Sequence, residues 1–245
     1  MATVDDHYNR HLGPVYAWMH GDLEGAFARA RTELESLGIE RSESLLAVDL
    51  GAGFGLHALP LAELGYRVVA VDRCRPLLDE LARRAVGRRI DIVDGDLTAF
   101  GNYLKQPADL ILCMGDTLTH LPNLDAVAEL LREVGARLAT AGQFVATLRD
   151  YSRPLTGDSR FILVRSTAEQ ILTCFLEFQS DHVDVHDVLH RLVDGQWRLD
   201  VSHYPKLRLS PDWLVAQLAG LGFRVERGKL PNGMISVVAT RAGSG

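Results

Sequence analysis

The sequence predicts an α/β fold: a doubly wound, mostly parallel sheet that carries an inserted antiparallel β meander. Three observations predict it. Short apolar runs alternate with helix-length amphipathic segments from about residue 45 to 150, the pattern of βαβ units joined by right-handed crossovers. After Tyr151 the pattern changes to long β-rich segments separated by turn signals at Ser180-Asp181 and Asp194-Gly195, as in a meander. A chain of 245 residues also buries roughly 72% of its extended surface by the usual size scaling, enough for one domain of α/β size.

Taken in order, Leu23, Phe27, Ala30, Leu34 and Leu37 recur at three- and four-residue spacing behind Asp22 as a cap, with Gly38 after them, which makes an amphipathic helix. Leu46 to Leu50 is short, apolar and followed by glycines, as a parallel strand buried on both faces is. A helix from about Leu56 to Leu64, stopped by Gly65, leads to the strand Val68 to Val71. Then come a helix Pro76 to Ala85, strands Ile90 to Val93 and Leu110 to Cys113, a helix Leu124 to Leu138 and a strand Phe144 to Leu148. The meander strands are expected at 161–166, 170–178, 182–193 and 197–207. Ser210-Pro211 opens a last helix to about Leu221, and strands Phe223 to Glu226 and Ile235 to Thr240 close the sheet at seven. The expected organisation is one domain over residues 1–245, with a helical cap at 1–40 and the antiparallel insertion at 155–208.

Composition excludes several classes. Twenty-six basic against 32 acidic residues leave a net charge of −6 with no long block of either sign, so a nucleic-acid footprint is not expected. Cys74, Cys113 and Cys174 are odd in number, widely spaced and without a CxxC pair. That argues against a disulfide framework or structural zinc and for a reducing cytoplasm. Charges and histidines occupy Met1 to Asp22 where a secretory signal needs an apolar stretch, and no run of 18 apolar residues occurs, so neither export nor a membrane span is expected. His182, His186 and His190 would share a helix face, but on a strand the first and third stand roughly 26 Å apart, so no metal site is expected there. Homodimerisation is left open.

Chemistry concentrates after the first strand. Val48-Asp49-Leu50-Gly51-Ala52-Gly53-Phe54-Gly55 runs from a strand through a glycine turn into a helix, where missing side chains let backbone approach a ligand and a helix N-terminus offers free N–H groups. A dinucleotide fingerprint places glycine or alanine at position 56, and the chain has Leu56, so a dehydrogenase-type GxGxxG is not formed. Asp72 ends the second strand 21 positions after Gly51, placed to accept hydrogen bonds from two ribose hydroxyls. Asp96 follows the third strand and is placed to take an adenine amino group, with Asp94 beside it as the competing acid.

These residues resemble class I S-adenosylmethionine-dependent methyltransferases. The resemblance rests on DLGAGFG, on VVAVD ending at Asp72, on DGDL around Asp96 and on ILCMGDTLTHL around Gly115. It implies a Rossmann-like methyltransferase fold with S-adenosylmethionine as methyl donor. By motif position Gly51, Ala52, Gly53 and Gly55 hold its methionine part, Asp72 with Arg73 its ribose, and Asp96 with Leu97 its adenine. Asp49 matches the family's acid ahead of the turn. Met114-Gly115-Asp116-Thr117-Leu118-Thr119-His120-Leu121 is similar to the GNSxxHL stretch of glycine N-methyltransferase-like small-molecule enzymes, with Asp116 in place of the asparagine, and Arg149-Asp150-Tyr151 to their RNY. The implied reaction is in-line transfer to a nitrogen, oxygen or sulfur of a small molecule; the lack of basic surface and of an NPPY-like amide pocket argues against protein or nucleic-acid acceptors. Candidate catalytic residues are Tyr16, from an aromatic and histidine-rich N-terminal stretch expected over the cofactor, His120 as an orienting group or base, and Arg149 as a bidentate carboxylate clamp. The competing reading is a cofactor-binding module without turnover, or a subunit that activates a partner.

Overall fold

The computed structural model describes residues 3–42 and 45–241. Seven strands form one sheet in the order β10-β11-β5-β4-β1-β2-β3. Its parallel part is β1 (Leu46–Leu50), β2 (Arg67–Asp72), β3 (Ile90–Asp94), β4 (Ala108–Cys113) and β5 (Leu138–Leu148), while β10 (Phe223–Lys229) and β11 (Ile235–Arg241) close one edge, with β11 antiparallel to β5. All five residues of β1 are buried, which is why its sequence reads as a continuous apolar run.

Helices cover both faces. One core packs Val127, Leu130, Leu131 and Val134 of α6 (Leu124–Arg137) and Leu214 and Leu218 of α7 (Pro211–Gly220) against Val48, Ile111 and Phe144. The other gathers Leu34 of α3 (Leu23–Ser36), Leu59 and Leu61 of α4 (Ala58–Glu63) and Leu78 and Leu81 of α5 (Arg75–Arg84) over Ala47, Ala70 and Leu112. The strand order reverses between β1 and β4, which makes their carboxyl ends the switch point where doubly wound folds bind ligands.

Two elements depart from expectation. α4 starts at Ala58 rather than Leu56, because Gly53 and Gly55 adopt positive φ (+54° and +90°) and hold residues 52–57 in turns. β5 begins at Leu138, directly after α6, and its register against β4 shifts between Ala108 and Leu110 while Ala141 takes φ +62°; this irregularity hides its first half from a period-two reading.

Between β5 and α7 the chain builds a separate four-stranded antiparallel sheet: β6 (Phe161–Ser166), β7 (Gln170–Phe178), β8 (His182–Val193) and β9 (Gln196–Leu207). His182, His186 and His190 all lie on β8. The inner face buries Leu172, Leu176, Val183, Val185, Leu189 and Tyr204. The N-terminal stretch supplies the cover: α1 (Val4–His7), a π-turn (Tyr8–Leu12) and α2 (Gly13–Met19) set Val4, Tyr8, Leu12 and Val15 against that face. A polar pin completes the contact, with His7 Nε2 2.9 Å from Asp187 Oδ2 and Nδ1 2.8 Å from Ser202 Oγ. Among the described residues no helix is long and apolar enough to cross a membrane.

Candidate active site

A cavity of about 1130 Å³ opens at the switch point, between the carboxyl ends of β1, β2 and β4, the N-terminal helices and the inner face of the four-stranded sheet. Its cradle begins at the glycine turn. The Gly51 and Ala52 N–H groups donate to the Val71 carbonyl (2.9 and 3.1 Å), which ties the turn to β2. Gly51 takes φ +75°, and a Cβ there would lie 2.5 Å from Thr117 Cγ2; only glycine lets the turns after β1 and β4 approach so closely.

Asp72 closes β2 with both oxygens directed: Oδ2 accepts the Gly53 N–H at 2.8 Å and Oδ1 the Cys74 N–H at 2.7 Å. Burial pushes its carboxyl up, and these N–H groups offset only part of that. Asp96 uses Oδ1 to cap the short helix Leu97–Tyr103 through the Thr98 N–H, at 2.8 Å, and its Oδ2 is 3.7 Å from Arg73. Arg73 also reaches Asp5 at 3.1 Å, and Asn9 accepts the Arg75 N–H at 3.0 Å, so the N-terminal helices are anchored to the cradle on one side and to the four-stranded sheet on the other.

The structure brings Gly51, Ala52, Gly53, Asp72, Arg73, Asp96, Leu97, Met114 and Gly115 to this cavity, together with Tyr16, His120 and Arg149. Asp49 and Gly55 correct the expectation, because neither lines it. Asp49 is buried beneath the turn, where burial first and Asp72 second push its carboxyl up to about 7. Gly55 faces the core: a Cβ there would meet Leu81 Cδ1 at 2.4 Å, so this glycine serves the packing of α5 on the turn.

Beyond the cradle the wall is aromatic and charged. Asp116, at φ +73° after β4, accepts hydrogen bonds from the Tyr151 hydroxyl and from Lys206 Nζ, both at 3.1 Å, and its Oδ2 lies 3.4 Å from Arg149 Nε. Burial raises the Asp116 carboxyl, but Lys206 and Arg149 outweigh it and hold it below the usual carboxylate range. Burial likewise opposes the Lys206 ammonium, yet Asp116, Tyr151 and Tyr8 raise its pKa above the ordinary value. The pair is therefore ionised.

His120 Nε2 is 3.3 Å from the Tyr8 hydroxyl, and its ring stacks on Tyr204 at 5.5 Å. Burial, reinforced by Lys206, depresses its imidazole to about 3. Tyr16 lies 6.0 Å from both Tyr8 and Phe54, and burial raises its phenol. Lys206 and Tyr204 were not anticipated, whereas Tyr8, Thr117 and Tyr151 fall in the stretches singled out by motif, without a role of their own. Period-two alternation on β9 puts Ser202, Tyr204 and Lys206 on one face, the available signal for Lys206.

Two outcomes follow from this geometry. Gly51→Ala is expected to destabilise the chain by at least about 1–2 kcal/mol, the cost of a left-handed residue plus the Thr117 contact. Gly115→Ala, at φ +70° but with nothing within 4 Å of the added Cβ, is expected to cost less, and urea titration of both variants ranks them. The second concerns pH. His57 and His120 are neutral in the folded chain down to about 4 and about 3, through burial first and neighbouring His20 and Lys206 second. The unfolded chain protonates them near 6.5. Below pH 6.5 the unfolded state thus binds more protons, so stability falls as pH is lowered from 6.5 towards 4. Denaturation midpoints across that range check this, and His120→Gln is expected to flatten the slope.

Comparison with known proteins agrees with the cradle. The family described as "Methyltransferase domain" matches residues 47–142. Cypemycin N-terminal methyltransferase from Streptomyces sp is 30% identical over 146 residues, covering 53% of this chain and 58% of that protein. Glycine/sarcosine N-methyltransferase from Halorhodospira halochloris is 25% identical over 60% of this chain and 56% of that protein. The chain thus spans little more than half the length of these relatives. An S-adenosylmethionine-dependent methyltransferase from Clostridium acetobutylicum ATCC 824 shares the fold, with a TM-score of 0.73 at 14% identity over 96% of this chain and 99% of that one. The glycine turn with backbone N–H groups beside Asp72, and Asp96 one strand further along, fit a nucleoside bearing a methionine chain. Motif, fold and cradle thus agree with a methyltransferase domain over residues 47–142, the stretch that the family matches.

Proposed function

We propose that the chain transfers the methyl of S-adenosylmethionine to the amine nitrogen of a small molecule. The observation that carries this reading is geometric: His120 is half-buried with its Nε2 turned to the Tyr8 hydroxyl, and the nearby carboxylate, Asp116, is already engaged. An imidazole held at about 3 is neutral and too weakly basic to take a proton from a hydroxyl or phenol, and Asp116 is committed to Lys206, Tyr151 and Arg149. An amine that arrives uncharged already has its lone pair and needs no base. The name of the Halorhodospira halochloris relative specifies an N-methyltransferase as well.

When bound, S-adenosylmethionine supplies a methyl on a sulfonium that leaves as a neutral thioether. The work of this chain is then placement and exclusion of water. Gly51, Ala52, Gly53, Asp72, Arg73, Asp96 and Leu97 would hold the donor. Tyr8, Tyr16, Tyr204 and His120 form the wall against which the acceptor is oriented, with the Tyr8 hydroxyl and His120 Nε2 as the polar atoms facing its N–H. Release of S-adenosylhomocysteine, followed across amines, phenols, alcohols and thiols, tests the reading: turnover is expected with amines, with kcat/KM rising with pH along the acceptor's own titration. Turnover confined to hydroxyl or thiol acceptors would overturn it, and cofactor binding without turnover would support the binding-module reading.

Arg149 is the cation on the Asp116 side of the cavity rim with an exposed side chain, at 55%. If it reads a carboxylate on the acceptor, Arg149→Lys should lower kcat/KM for carboxylate-bearing amines about ten-fold or more, on the order of 1.4 kcal/mol, because lysine lacks the guanidinium fork. Uncharged amines should be spared. Equal loss for all amines together with a lower Tm would instead mark the Asp116 contact as its whole role.

A further inference from the structure

The inner face of the four-stranded sheet forms a second compartment of the cavity, and its chemistry differs from that of the cradle. Ile162 and Val164 of β6, Leu176 of β7 and Val185 of β8 line it. Register places them on one face: Ile162 pairs with Cys174 and Val185 with Tyr204, and Cys174 Sγ and Tyr204 both turn inward. Leu12 and Met19 of the N-terminal helices line the same cavity and share a packed cluster with Val164. The polar groups here are already engaged. Asp187 holds His7 at 2.9 Å and the Cys174 thiol at 2.7 Å, and Lys206 holds Asp116.

Ile162 decides the reading. It lines the inner face yet remains 40% exposed, so apolar surface stands beside Asp187 and Lys206, whose polar atoms are already engaged. Glycine would leave that surface wet, whereas a hydrocarbon body would cover it with a gain in free energy. The geometry points to an acceptor whose amine is carried on an apolar body of several carbons, seated against Ile162 and Val164, with the nearly buried Leu176 and Val185 behind them, while the nitrogen meets Tyr8 and His120. This rests on the amine reading above and narrows it: amines as small as glycine are poor acceptors.

The test uses the full chain saturated with S-adenosylhomocysteine and a series of primary amines from methylamine to octylamine, with glycine and phenethylamine as probes. Binding is measured by calorimetry, and methyl transfer separately with S-adenosylmethionine. Affinity is expected to rise about four-fold for each methylene that enters the compartment, with glycine weakest. Ile162→Glu should flatten the series and Ile162→Leu preserve it, with S-adenosylhomocysteine affinity unchanged in both. A flat series in the unsubstituted chain, or glycine binding as tightly as phenethylamine, would overturn the compartment. A rising series without methyl transfer would sustain the compartment and refute N-methylation, so the two failures are distinguishable.

Discussion

Lys206→Ala is expected to lower the unfolding free energy by about 3–5 kcal/mol, the usual effect of breaking a buried ion pair by removing one partner. Lys206 and Asp116 are only 8% and 2% exposed, and their 3.1 Å contact joins β9 to the turn after β4, across 90 positions of sequence. Without the ammonium, the Asp116 carboxylate keeps the Tyr151 hydroxyl and the more exposed Arg149, so the low end of the range applies if Arg149 moves inward. Asp116→Asn should be comparably damaging, since it strands a buried ammonium. Joining Asp116→Asn with Lys206→Met removes both charges and should recover most of the loss. Urea denaturation of these variants together with Lys206→Met alone measures this, and strictly additive losses of Asp116→Asn and Lys206→Met would show that the two residues act independently.

Asp72→Ala is expected to weaken S-adenosylhomocysteine binding by about 1.5–3 kcal/mol, the range for hydrogen bonds to a charged group. Asp72 also accepts the Gly53 and Cys74 N–H groups, so the alanine variant loosens the turn as well as removing the proposed contact to ribose. Asp72→Asn keeps an acceptor oxygen and a similar shape, and should retain more turn stability than affinity. Calorimetry and thermal unfolding on both variants separate the two roles; unchanged affinity in Asp72→Ala would remove the ribose assignment.

The cradle was legible because its determinants are local. Gly51, Gly53, Asp72 and Asp96 each sit within a few residues of a strand end, and those strands announce themselves as apolar runs because helices cover both faces. The acceptor wall was not legible in the same way. Lys206 reads as a solvated strand lysine until its partner is known, and that partner lies in the turn after β4 of the other sheet. Tyr8 lies in a helical stretch where His7 is itself buried on Asp187, so polar residues occupy core positions and the apolar period is broken. Arg149 was expected either to clamp a carboxylate or to pair with Asp116 or Asp150, and it lies 3.4 Å from Asp116, whose left-handed turn residue type alone does not specify. Asp49 and Gly55 show the converse: both belong to the motif by spacing, yet one lies under the turn and the other packs on Leu81.

The central claim is methyl transfer to nitrogen. Its most direct test is incubation of the chain with S-adenosylmethionine labelled at the methyl and an amine such as phenethylamine, reading the position of the label and the yield of S-adenosylhomocysteine together. The expected result is one labelled methyl on the amine nitrogen for each S-adenosylhomocysteine formed. Binding of S-adenosylmethionine with no label transferred to any amine, or label found on oxygen or sulfur instead, would contradict the account.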